Sequence, residues 1–162
     1  MNKATRRTGG ALLLGAMLVL LQSCDDYPRD PEETLDRVRG GTLRAGIVEN
    51  PPWARRDGKE PEGIEVRLVE RLAQSLDAEV KWSDATGPRA VEELEERRLD
   101  ILVGGLTQDD PWLAKLGVTR AYLPGRTHVV AVPSGENAWL ITVDSFFSAY
   151  GPELVGTEEV RP

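Results

Sequence analysis

The stretch from Leu99 to Tyr122, LDILVGGLTQDDPWLAKLGVTRAY, constrains this chain more than any other. A short apolar strand runs into a glycine pair, a polar turn able to start a helix follows, and a second strand ends in an aromatic. In an α/β protein the turn after such a strand is where ligands are held, because backbone groups and small side chains leave room at the strand's carboxyl end.

The residues before it supply the rest of that architecture. Thr42-Leu-Arg-Ala-Gly-Ile-Val48 is an alternating-to-apolar run suited to a buried strand, and Glu49-Asn50-Pro51-Pro52-Trp53 ends it, since consecutive prolines supply no ladder donors. Gly63 to Asp77 predicts a helix with Ile64, Leu68, Val69, Leu72, Ala73 and Leu76 on one face and Arg67, Glu70, Arg71 and Gln74 on the other. Ala78 to Trp82 reads as a strand, Pro88 to Arg98 as a helix turning Val91 and Leu94 inward, and Leu99 to Val103 as a third strand. Two strand-helix-strand units in succession imply an α/β fold, a mostly parallel sheet with helices on both faces. With the first strand in the middle, the turns at Asn50 to Trp53 and Gly104 to Thr107 share one crevice at the switch point.

Past the crevice, Thr107, Asp109 or Asp110 caps a short helix to about Leu116, with Pro111 in its first turn. Gly117 to Thr119 and Thr127 to Val132 read as short strands around the Leu123-Pro124-Gly125 turn. A last helix, Ala138 to Tyr150, carries Trp139, Leu140, Val143, Phe146, Phe147 and Tyr150 as an aromatic stripe of the core. Residues 42–150 are therefore expected to form one lobe and residues 151–162 a flexible tail.

The leading residues read differently. Lys3, Arg6 and Arg7 precede an apolar run from Ala11 to Leu21 that is short for a membrane span, so residues 1–23 have the pattern of a signal peptide. Leu21-Gln22-Ser23-Cys24 resembles a bacterial lipobox, which implies cleavage before the only cysteine and acylation of its thiol. An aspartate at position 25 resembles the signal that retains Gram-negative lipoproteins in the inner membrane. The expected location is the periplasmic face of that membrane, or the outer face of the cell membrane in a one-membrane host. Residues 24–41, charged and proline-punctuated, are expected to be an acidic tether with one helical turn through Glu32 to Arg39. Removing residues 1–23 takes away three positive charges and moves the net charge from −7 to −10, which argues against nucleic acid as a partner.

These segments occur in an order that resembles a known family. Thr42 to Val48, the Pro-Pro-Trp turn, Gly63-Ile64-Glu65-Val66 opening a helix, Leu99-Asp100-Ile101 leading into Gly104-Gly105-Leu106-Thr107, and Thr119-Arg120-Ala121-Tyr122 are similar to the first lobe of bacterial periplasmic solute-binding proteins of family 3, the polar amino-acid-binding type that serves ABC importers. The resemblance implies two α/β lobes closing on a small ligand. Here Tyr122 to Val132 resembles both the place where the chain leaves for the second lobe and the place where it returns, and the 139 residues after residue 23 leave no length for that lobe. A single-lobe form is expected.

Three positions depart from the family pattern. The arginine that clamps a ligand carboxylate shortly after the Gly-x-Thr turn is replaced by Trp112, with Arg120 as the nearest substitute. Arg67 stands at the second acidic position of the helix-opening motif, and Val118-Thr119 replaces the usual Phe-Ser. The ligand-binding residues expected from the resemblance are Trp53 as an apolar face, the Gly105 carbonyl and Thr107 hydroxyl as hydrogen-bonding groups, and Asp109 and Tyr122 at the rim.

The expected function is that of a membrane-anchored solute-binding lobe that binds a small polar solute weakly or with a partner. The alternative is an accessory lobe docking on a transporter permease, a sensor or a second copy. An enzyme is the least favoured reading: His128 is the only histidine, Cys24 is reserved for the anchor, and no nucleophile set, metal cluster, cofactor motif or phosphate-cradling loop stands out.

Overall fold

The computed structural model of the chain describes residues 28–56, 60–85 and 87–157. The elements run α1 (Thr34–Val38), β1 (Thr42–Ile47), β2 (Arg55–Arg56), β3 (Pro61–Glu62), α2 (Ile64–Ser75), β4 (Glu79–Asp84), α3 (Gly87–Glu95) and β5 (Ile101–Thr107). A 3-10 turn (Pro111–Lys115), β6 (Gly117–Val118), β7 (His128–Val132) and α4 (Asn137–Thr157) complete them.

Five strands form one sheet in the order β4-β1-β5-β7-β6, with β2 and β3 paired separately. The first strand lies between β4 and β5, as expected, and both run parallel to it. Strand β7 runs antiparallel to β5, and β6 antiparallel to β7.

Alternation along the strands sorts the core into two layers. Ile101 and Val103 of β5 and Val130 and Val132 of β7 face α1, α2 and α4, where Trp139, Val143 and Phe147 are fully buried. Leu102 and Leu106, with Val129 and Ala131, face α3 and the 3-10 turn through Val91, Leu94 and Leu113. Between Leu102 and Leu106 the register with β7 shifts, and Gly104 and Gly105 occupy the irregularity.

Helix α2 has the predicted buried face, and its first turn is buried all round, including Glu65. The predicted short helix after Asp110 is a 3-10 turn, because the Asp110 carboxylate folds back onto Thr107 instead of capping the residues ahead.

Two boundary expectations are corrected. From Pro28 on, the segment expected to be a tether is packed on the lobe: Leu35 and Val38 enter the core, Asp30 accepts the N–H groups of Leu35 and Trp139, and Glu136 accepts those of Glu32 and Thr34. Its charges therefore serve as helix caps between α1 and α4, satisfying donors that helix ends leave open. The expected tail from residue 151 begins instead as about two further turns of α4 through Pro152, held because Leu154 is buried and Gly151 lies against the Tyr122 ring. The signal-peptide and Cys24 expectations lie outside the described residues, and among these no helix is long and apolar enough to cross a membrane.

Candidate functional site

The candidate site forms where β1 and β5 end side by side. The Asn50 to Trp53 turn closes on itself through Trp53 N–H to the Asn50 carbonyl (2.9 Å), and Asn50 Nδ2 reaches across to donate to the Gly104 carbonyl (3.1 Å). Gly104 and Gly105 have positive φ of 140° and 64°. A Cβ on Gly104 would lie 2.1 Å from the Val48 carbonyl oxygen, and one on Gly105 would lie 2.5 Å from the Trp53 indole, so only glycine lets the two turns meet.

Glu65, fully buried at the start of α2, holds this turn from below. Its Oε2 accepts the N–H groups of Gly104 (2.6 Å) and Gly105 (2.8 Å), and its Oε1 accepts the Tyr122 hydroxyl. Burial pushes the carboxyl pKa up, and the three donors pull against it. The Tyr122 phenol is raised well above its ordinary range by burial and then by the neighbouring Glu65. The pair is a strut inside the protein, with no free valence aimed at solvent.

The residues predicted to touch a ligand are brought to one end of the sheet, but not all face the opening. Tyr122 is corrected: it is 3% exposed, its ring packs edge-on against Phe147, and its hydroxyl is committed to Glu65, so it is not a rim contact. Trp53 is corrected in part: its indole is 6% exposed, with the His128 ring 4.1 Å away and Gly105 at its edge, so little of the predicted apolar face remains for a solute. Gly105 is buried at the turn, and Asp109 is exposed beyond it. Thr107 is half-buried, and its N–H (2.8 Å) and hydroxyl (3.3 Å) both donate to Asp110 Oδ2, so its oxygen offers acceptor capacity only. Asn50 and Glu65, which hold the two turns, are residues to which sequence reasoning assigned no role.

The clamp position is likewise settled by geometry. Trp112 packs against the Leu113 side of the core. Arg120 forms a two-pronged pair with Asp144 at 2.6 and 3.0 Å, which commits its Nε and one terminal nitrogen. The Leu123 to Arg126 turn, closed by Arg126 N–H to the Leu123 carbonyl (3.2 Å), joins the two segments at which a second lobe would enter and leave.

This arrangement, a mostly parallel sheet with the Asn50 and Gly104 turns at the carboxyl ends of β1 and β5, defines one α/β lobe of the periplasmic-binding type. The chain belongs to the bacterial extracellular solute-binding proteins, family 3, which it matches over residues 43–157. Among solved structures it is similar to the arginine-bound form of domain 1 from TmArgBP, at 20% identity and a TM-score of 0.62 over 70% of this chain and 97% of that one. It is also similar to an ancestral amino acid-binding protein that is a precursor of cyclohexadienyl dehydratase (14% identity, TM-score 0.67, 76% and 98% of the two chains). The substrate binding protein of an amino acid ABC transporter is a third (12% identity, TM-score 0.63, 75% and 100%). No curated protein matches the chain. At these identities the structures share its fold, and the single-domain form of one of them corresponds to the lobe seen here.

Proposed function

We propose that this protein is a non-catalytic, single-lobed solute-binding protein that takes a small polar solute at the crevice between the Asn50 and Gly104 turns. The observation carrying this reading is the built turn itself. A buried carboxylate, two glycines at positive φ and the Asn50 amide combine to fix a backbone at the carboxyl end of two parallel strands, where such sheets hold ligands. Gly105, Thr107 and Asp109 are the proposed contacts, with Trp53 offering only the uncovered remainder of its indole.

One lobe covers one side of a solute, so binding is weak, with Kd on the order of 0.1–1 mM, unless a partner supplies the other wall. Acylation at Cys24 would hold the lobe at the outer side of the membrane beside an ABC importer. A Cys24→Ser variant that moves from the membrane to the soluble fraction supports that anchor; unchanged partition opposes it.

Thermal unfolding of the full chain across amino acids, polyamines and organic acids tests the binding reading, because a ligand of the native state raises the melting temperature. A solute-specific rise supports it. If nothing in the panel raises the midpoint, the accessory-lobe reading replaces it, and one observation favours that second reading: Ile141 (51%) and Tyr150 (43%) of α4 are large apolar side chains left exposed.

A further inference from the structure

Arg126 closes the Leu123 to Arg126 turn at the same end of the sheet as the crevice. Its guanidinium carbon lies 5.8 Å from the centre of the Trp53 ring, the ring that abuts Gly105 and stacks on His128. The β5–β7 register sets His128 opposite Thr107, and Gln108 N–H donates to the Thr127 carbonyl (3.1 Å), so the Arg126 turn and the Thr107 turn adjoin.

The charge around Arg126 sets it apart. Arg37 and Arg44 are paired with Asp100, Arg56 with Asp84 and Arg120 with Asp144. Arg126 is exposed and has no acidic partner among the described residues, in a chain whose net charge is −7. His128 beside it does not compete as a cation, since burial and then the Arg126 charge hold its pKa below the ordinary imidazole value. A guanidinium resting on an indole keeps its N–H groups directed outward in its own plane, the geometry that takes both oxygens of a carboxylate.

We propose that Arg126 is the anion-holding residue of the crevice and that the solute carries a carboxylate seated on it. The cation then comes from the turn that closes the lobe, and Trp112 and the committed Arg120 leave the usual clamp position without one. This inference rests on the solute-binding reading.

The test is calorimetric titration of the full chain with succinate, L-glutamate, L-alanine and putrescine, in wild type, Arg126→Gln, Arg126→Lys and Arg120→Gln. Binding of at least one carboxylate probe is expected, weakened about tenfold by Arg126→Gln and less by Arg126→Lys, and unchanged by Arg120→Gln. Unligated melting curves of the Arg126 variants should match wild type, since the side chain is exposed. Equal carboxylate affinity in Arg126→Gln, or binding of putrescine alone, overturns the inference and leaves the solute-binding reading standing. If wild type takes none of these four and none of the wider thermal panel, both fall together.

Discussion

The hydroxyl of Tyr122 is donated to the buried carboxylate of Glu65, which ties the segment before the closing turn to the first turn of α2. Through its other oxygen the same carboxylate holds the N–H groups of Gly104 and Gly105. One acid thus sets the backbone of the crevice and the position of the turn that closes the lobe.

Glu65→Ala would leave two backbone donors and a phenol without partners in the core, and at about 1–3 kcal/mol for each of the three orphaned groups the loss is at least about 3 kcal/mol. Glu65→Gln should retain part of this, because its amide oxygen still accepts from the glycines. Tyr122→Phe removes one bond to the carboxylate and should cost about 1.5–3 kcal/mol. Urea unfolding gives all three values, and a Glu65→Ala midpoint equal to wild type would refute the strut.

Gly105→Ala places a methyl group against the Trp53 indole and Asn50 Nδ2 at a φ of 64°. Left-handed backbone costs a non-glycine residue about 1–2 kcal/mol, and the contacts add to it. A lowered melting temperature with altered tryptophan emission is expected. An unchanged melting curve would mean that the two turns do not meet as described.

Asp100 accepts Arg44 through its backbone N–H and guanidinium, and Arg37 through its guanidinium, joining α1, β1 and β5. Burial pushes its carboxyl up, but the bonds from Arg44 and Arg37 outweigh it and hold the pKa below the ordinary value. The unfolded chain therefore binds this proton more readily. The stabilisation is complete above the ordinary carboxylate pKa and is lost as pH falls through that value toward the lower folded one. Asp100→Asn should cost about 2–3 kcal/mol at neutral pH, since both arginines are partly exposed, and the gap from wild type should narrow in acid. A gap independent of pH would contradict the pairing.

Asp30→Ala removes the acceptor for Leu35 N–H in α1 and Trp139 N–H in α4, which at about 1 kcal/mol per cap predicts a loss of about 1–2 kcal/mol. Amide exchange should accelerate through residues 34–39 ahead of the rest. Unchanged protection there would return this segment to the status of a tether.

Most of the sheet was legible because the strand over Thr42–Ile47 and the helices and strands from Ile64 to Leu106 keep clear periods, and two strand-helix-strand units leave few ways to connect them. The meeting of Asn50 to Trp53 with Gly104 to Thr107 followed from that topology. Side-chain direction did not. Tyr122 looks like a rim residue until Glu65 is found beneath it, and Thr107 looks like a donor until Asp110 folds back. The helical turn at α1 was legible, but charge composition concealed its docking on the lobe, since Asp30, Arg37 and Glu136 make their bonds across the fold, with Glu136 about a hundred residues from its partners. Gly151 and Pro152 read as a helix end, yet the fit of Gly151 against Tyr122 and the burial of Leu154 carry α4 past them.

The claim that this lobe holds a solute at its crevice is tested most directly by backbone amide chemical shifts, recorded while the full chain is titrated with whichever solute raises its melting temperature most. Saturable shifts at Gly105, Thr107 and Gln108, with none at Gln74 on the outer face of α2, are the predicted result. Titration that leaves those three amides unmoved, whatever else responds, would contradict it.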